Sequence, residues 1–213
     1  ALAEQNLDID TLDSLVEQGL ARQVDSEIYD VHDLIREFLL RNIDDQTKFE
    51  LHAKCSNWYK KSSQTPGYTI ELIFHLLSSD NMAEAASMIV EEGRTLISQG
   101  HMELLGLIDS ITLEDVPQNM LANIWQFKGE ILSLLGRFEE AKLAFGYTQE
   151  QALMGKNNSI QAEALSALAD ISLKQGSLDE SLIMHKEALE IFIKQKDAVG
   201  AARSYNNMGY LLR

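Results

Sequence analysis

Trp125-x-x-Lys128-Gly129-x-x-Leu132 is followed, 40 residues on, by Leu165-x-x-Leu168-Ala169-x-x-Ser172, and 40 further by Tyr205-x-x-Met208-Gly209-x-x-Leu212 (169 − 129 = 209 − 169 = 40). Seven residues past the first two small landmarks stand Gly136 and Gly176, each leading into an acidic start, Phe138-Glu139-Glu140 and Leu178-Asp179-Glu180. A glycine between two amphipathic runs stops a helix, because it accepts the left-handed conformation that closes off orphan carbonyls. Acidic residues just beyond it face the positive end of a new helix. The unit is therefore helix, tight turn, helix, and its recurrence marks a solenoid. Glycine inside a helix costs about 1 kcal/mol relative to alanine. Gly129, Ala169 and Gly209 are thus expected where a neighbouring helix passes too close for a larger side chain.

Gly136-Arg137-Phe138-x-x-Ala141-x-x-x-Phe145 completes the pattern of the first repeat. This set resembles the tetratricopeptide (TPR) family over roughly Met120 to Arg213. The period exceeds the family's usual 34 residues by about six, most of an extra turn per helix, and is similar to the longer repeats of kinesin light chains and cell-polarity scaffolds. Leu153 and Ile193 stand where the family has a closing proline, and Ser181 and His185 replace the alanine and aromatic of the second repeat. The resemblance implies an all-α, right-handed superhelical solenoid whose first helices line a concave face. Offsets of −6, −3 and +1 from the landmarks then give the groove: Asn123, Gln126 and Glu130; Glu163, Ser166 and Asp170; Arg203, Asn206 and Tyr210. The carboxylates Glu130, Glu163 and Asp170 suit a basic or neutral peptide better than an acidic tail.

Ahead of the repeats, Leu12, Leu15 and Val16 share one face of a helix capped by Asp10 and ended by Gly19. Leu20–Val24 and Ile28–His32 alternate around Asp25-Ser26-Glu27 as a β-hairpin. Asp33 caps a following helix with Leu34, Ile35, Phe38, Leu39 and Ile43 on its apolar face. Helix, β-wing, helix over residues 1–46 is the back half of a winged-helix domain. Tyr29-Asp30-Val31-His32-Asp33-Leu34-Ile35-Arg36-Glu37-Phe38-Leu39 also resembles the winged-helix end of STAND signalling ATPases (plant resistance proteins, apoptotic ATPases, maltose-operon activators). There Val31-His32-Asp33 sits where many members have Met-His-Asp. The resemblance implies that His32 contacts an ADP phosphate in a full-length protein; the plainer reading makes Asp33 only a helix cap. No G-x-x-x-x-G-K-[ST] loop occurs in the chain, so no cofactor is expected here and no nucleotide hydrolysis.

Residues 47–118 read as an irregular helical arm, with helices over Phe49–Lys61, Tyr68–Ser79, Met82–Ser98 and His101–Ile111. The run from His75 to Ala86 is similar to the helical arm after the winged helix in the same ATPases. Within the arm His52 and Cys55 share a face but lack the further ligands zinc needs. Glu71 and His75, four apart, read as a helix-surface pair. No nucleophile–base set rises above chance, so catalysis is not expected.

Charge narrows the partners. The 213 residues carry a net −15, with 12 Asp/Glu against three Arg in residues 1–46 (3 − 12 = −9). Nucleic-acid affinity comes from Lys and Arg neutralising phosphates, so nucleic acid is excluded as an expected partner. No apolar run reaches membrane-spanning length. The lone Cys55 cannot form an internal disulfide, which makes a reducing, cytoplasmic setting the expectation. The chain reads as a piece of a longer protein: either the sensor or transducer segment of a STAND-type regulator, touching a missing ATPase domain, or a free-standing TPR scaffold. The unpaired helix bearing Tyr205, Met208, Leu211 and Leu212 is expected to self-associate weakly.

Overall fold

A computed structural model describes residues 9–25, 28–31, 33–62 and 65–212. Its elements run α1 (Ile9–Glu17), β1 (Ala21–Asp25), β2 (Ile28–Val31), α2 (Asp33–Asn42), α3 (Asp45–Lys61), α4 (Pro66–Ser78), α5 (Met82–Ser98), α6 (Leu104–Asp109), a 3-10 turn (Leu113–Asp115), then α7 (Gln118–Leu134), α8 (Phe138–Met154), α9 (Asn158–Lys174), α10 (Leu178–Gln195) and α11 (Ala198–Leu211). Among the described residues the two strands are the whole of the sheet. The chain is an all-α helical-repeat solenoid with one β-hairpin. Cα proximity groups it into two units, Ala1–Asn81 and Met82–Arg213.

In the first unit β1 pairs antiparallel with β2, Ala21 opposite Val31 and Arg22 opposite Asp30, with an irregularity between Gln23 and Asp25. Arg22 bridges Asp30 across the strands at 2.8 Å. Helix α1 begins at Ile9, so Asp10 lies inside its first turn rather than capping it. Helix α3 starts four residues before the expected Phe49, because Asp44 accepts hydrogen bonds from both the backbone N–H and the hydroxyl of Thr47. Helix α4 starts at Pro66, two residues before the expected Tyr68. Thr65 caps it, and proline at the first helical position gives up only an N–H that would be orphaned anyway.

The second unit is the repeat array. Helices α7, α8, α9, α10 and α11 begin at 118, 138, 158, 178 and 198, a constant step of 20 residues. The turns between them repeat with the same step. Gly136 (φ 76°), Lys156 (φ 53°), Gly176 (φ 84°) and Lys196 (φ 59°) are all left-handed. Each begins the same double closure: Arg137 N–H bonds Leu132 C=O, Asn157 bonds Ala152, Ser177 bonds Ser172, and Asp197 bonds Phe192, at 2.8–2.9 Å. This six-to-one bond, with a five-to-two bond inside it, is the Schellman closure. The sequence announces it at the two glycines and hides it at the two lysines.

Close approach holds the array together. A Cβ on Gly129 would lie 2.6 Å from the Phe145 ring, and one on Gly93 would lie 2.7 Å from Phe127. Gly200 is filled the same way by Phe192. At the second landmark Ala169 is fully buried, and His185 stands at the Phe145 offset (145 − 129 = 185 − 169 = 16), also fully buried. This pair of positions carries one more methyl and a smaller ring than Gly129 and Phe145 do. At the third landmark, a Cβ on Gly209 would meet no atom within 4 Å among the described residues. The fourth expected helix shrinks to the six residues of α6 before the 3-10 turn. This is why α5 precedes α7 by 36 residues rather than 40.

Two outcomes follow from this geometry. A left-handed conformation costs a non-glycine residue about 1–2 kcal/mol. Lys196→Gly is therefore expected to stabilise the chain by roughly 0.5–1 kcal/mol, read as a rise in melting temperature. His185→Phe is expected to be better tolerated on an Ala169→Gly background than alone, with a coupling of at least about 0.5 kcal/mol in a double-mutant cycle. Strict additivity would show that the two positions are not packed as a pair.

Candidate functional site

Helices α5, α7, α9 and α11 turn one side toward a shared open cavity of about 260 Å³. The expected groove residues Gln126, Glu130, Glu163, Ser166, Asp170 and Arg203 all line it, together with Arg94, Ile97, Ser133, Leu134, Phe145, Ala167 and Lys174. Asn206 and Tyr210 border a second, adjoining concavity with Asp170, Leu173, Asn207 and Gly209. Asn123 lines neither and is half-buried on α7. Arg94 and Ile97 are the residues that sequence reasoning missed. They sit on α5, outside the 40-residue period, and Gly93 beside them was the signal that α5 packs as a repeat helix.

The groove is not a uniformly wet face. Gln126 and Ser166 are 3% and 2% exposed. Gln126 Nε2 donates to Glu130 Oε1 at 2.8 Å, while Gln126 Oε1 and Ser166 Oγ are buried without a hydrogen-bond partner. Burial raises the Glu130 carboxyl above the usual range, against the Gln126 hydrogen bond and the Arg94 charge, both of which lower it. Arg94 reaches across to Glu163 at 2.7 Å. Burial works against its charge, but the Glu163 hydrogen bond and carboxylate win and raise its pKa. Asp170 accepts from Asn207 Nδ2 at 2.9 Å, and His185 Nε2 lies 3.3 Å from the same Asp170 oxygen without hydrogen-bond alignment. Lys174 stands over the Phe138 ring and Arg203 over Phe192.

Packing positions beside the groove behave as their repeats allow. Trp125 stacks on Tyr147 at 4.7 Å, with Lys128 over its face. Tyr205, its third-repeat counterpart, is 59% exposed.

A second cluster of chemistry-bearing residues lies in the first unit. His52 on α3 and His75 on α4 meet Nδ1 to Nδ1 at 2.8 Å, so one must donate and the other accept. Tyr59 stacks on His75, and Phe74 meets His52 edge-on. Glu71, expected to pair with His75, is 4.0 Å from its Nε2, a loose contact beside the tight one from His52. Cys55 is half-buried and free. Among the described residues no group of three or more His, Cys, Asp or Glu is placed to hold a metal ion. His101, without a readable partner in the sequence, bonds Glu103 at 2.7 Å. His32 lies outside the described residues, so the structure does not bear on its implied nucleotide contact.

No family model matches this chain, and no curated protein matches it in sequence. Two solved structures are similar in backbone. BtubC from P. vanneervenii is 16% identical with a TM-score of 0.44, the alignment covering 80% of this chain and 66% of that one. A signal transduction ATPase with numerous domains (STAND) from Pyrococcus horikoshii, carrying a tetratricopeptide repeat sensor, is 18% identical with a TM-score of 0.42, covering 99% of this chain and 44% of that one. The chain thus spans less than half the length of the second and about two thirds of the first. At such identities the likeness concerns backbones and assigns no residue a role.

The histidine pair yields a pH expectation. Burial first, and then the His52 charge, lower His75 from 6.5 to about 4; burial also lowers His52. A histidine with a depressed folded pKa is protonated more readily in the unfolded chain. Its contribution is therefore present above pH 6.5 and is lost as pH falls toward 4, by at most about 3 kcal/mol for a shift of that size. Thermal melts of the wild type should drop across this window, and His75→Phe should flatten the drop. An unchanged slope in the variant would remove the pair from the account.

Proposed function

We propose that this chain is a non-catalytic protein-interaction and regulatory segment, the sensor or transducer part of a STAND-type signalling ATPase or transcriptional regulator. Its solenoid groove would hold a peptide segment of a partner or of the parent protein. The carrying observation is the convergence of polar side chains from four alternate helices, α5, α7, α9 and α11, on one open cavity. In this reading residues 1–46 are the back half of a winged-helix domain, 47–118 the connecting arm and 119–213 the repeats. The alternative is a free-standing TPR scaffold or adaptor with a helical cap. A solenoid cap has a polar outer face, whereas α2 leaves Leu34, Phe38 and Leu39 71%, 64% and 47% exposed. That apolar face favours a fragment of a larger domain over a finished cap. The uncovered Tyr205, Tyr210 and Leu212 of the α11 region support weak self-association. Among the described residues no helix is long and apolar enough to cross a membrane.

The groove is tested by combining Arg203→Ala, Asn206→Ala and Tyr210→Ala, all exposed positions. The triple variant should lose capture of the native partner with little change in melting temperature. Undiminished capture would move binding off the groove. An in-frame G-x-x-x-x-G-K-[ST] loop roughly 200–300 residues before Ala1 would favour the ATPase over the scaffold.

A further inference from the structure

The groove floor holds acceptors that nothing satisfies. Gln126 Oε1 and Ser166 Oγ are both buried, both line the cavity, and neither has a partner. Leaving a buried acceptor unmade is costly, so two among the lining of one cavity call for an explanation. Beside them the Glu130 carboxylate is met by one donor, Gln126 Nε2, and among the described residues no cation forms an ion pair with it. Turning the Gln126 amide over would set its oxygen against that carboxylate and orphan its nitrogen, so the orientation is fixed by the neighbour.

We propose that Glu130, Gln126 and Ser166 form a receptor for a single lysine or arginine side chain presented by a protein partner. An ammonium or guanidinium carries three or five donors and no acceptor. It would answer Gln126 Oε1 and Ser166 Oγ and add a direct ion pair to Glu130, which now feels Arg94 and Arg203, and the opposing Glu163, only without contact. The groove's own cations are engaged elsewhere: Arg94 pairs with Glu163, and Lys174 and Arg203 lie over aromatic faces. An anionic ligand would suit Lys174 and Arg203 but leave Gln126 Oε1 unanswered. The cationic occupant therefore fits the buried atoms, and the anionic one fits only the rim. Binding of a cation requires Glu130 ionised, so affinity rises with pH through the Glu130 titration. This assignment rests on the groove being the partner-binding face.

The test uses the full chain and a decapeptide of alanine, glutamine and serine with one central arginine. Matched peptides carry citrulline, which keeps the shape without the charge, or glutamate. Titration is followed by NMR at the Gln126 side-chain amide and the backbone of α7 and α9. The arginine peptide should perturb these signals at neutral pH, more weakly at mildly acidic pH, and citrulline should bind at least about tenfold more weakly. Glu130→Gln should abolish the difference while leaving melting temperature equal or higher, because it removes a half-buried charge. Ser166→Ala provides a second, fold-neutral reduction. Equal binding of arginine and citrulline peptides, or an unaltered preference in Glu130→Gln, overturns the proposal. Preference for the glutamate peptide also overturns it, while leaving the groove reading intact. If none of the peptides touches α7 or α9 and the triple groove variant still captures the native partner, the groove reading falls with it.

Discussion

The repeat array depends on one steric bargain made several times: an aromatic ring lies where a helix has no side chain. Phe127 fills the space at Gly93, Phe145 that at Gly129, and Phe192 that at Gly200. Each glycine gives up about 1 kcal/mol of helix propensity, and each approach brings two backbones near enough to bury a whole ring. Phe145 and Phe192 are essentially inaccessible, at 1% and 0%. Helices α7, α8 and α9 each run 17 residues and α10 runs 18. The left-handed closures at 136, 156, 176 and 196 then follow, since a helix that must reverse at a fixed position needs its last carbonyls tied off there.

That same spacing makes the groove. Repeat helices held at a fixed separation aim equivalent positions at one line, so Arg94, Glu130, Glu163, Asp170, Lys174 and Arg203 meet although they span more than a hundred residues of sequence. Three are acidic and three basic, in a chain of net charge −15. The groove is thus far closer to neutral than the protein as a whole, and selectivity there turns on which charges are buried and already matched rather than on their sum.

Much of this was legible in the residues. The landmarks Gly129 and Ala169, the glycine stops and the acidic helix starts carry the period openly, because each is a local rule. The hairpin was readable for the same reason, from alternation around a polar turn. What escaped was non-local. Lys156 and Lys196 adopt a conformation that no lysine announces. The His52–His75 contact joins residues 23 apart on different helices, while the visible i, i+4 partner of His75, Glu71, turns out to be the looser contact. Arg94 was missed because the shortened α6 throws α5 off the 40-residue beat.

A row of helices in which each rests mainly on its neighbours has a consequence for how it comes apart. Helix α11 leans on α10 and is tied to α9 through Asn207 and Asp170. Helix α9 is gripped from both sides, by α8 and α10, and carries a further tether from Arg94 on α5. Opening is therefore coupled mainly between neighbouring helices, and the array behaves as a zipper rather than as a single switch. In the proposed reading, a partner segment lying along the groove would touch α5, α7, α9 and α11 together. A ligand there would clasp the zipper's teeth together, coupling helices that otherwise open one at a time.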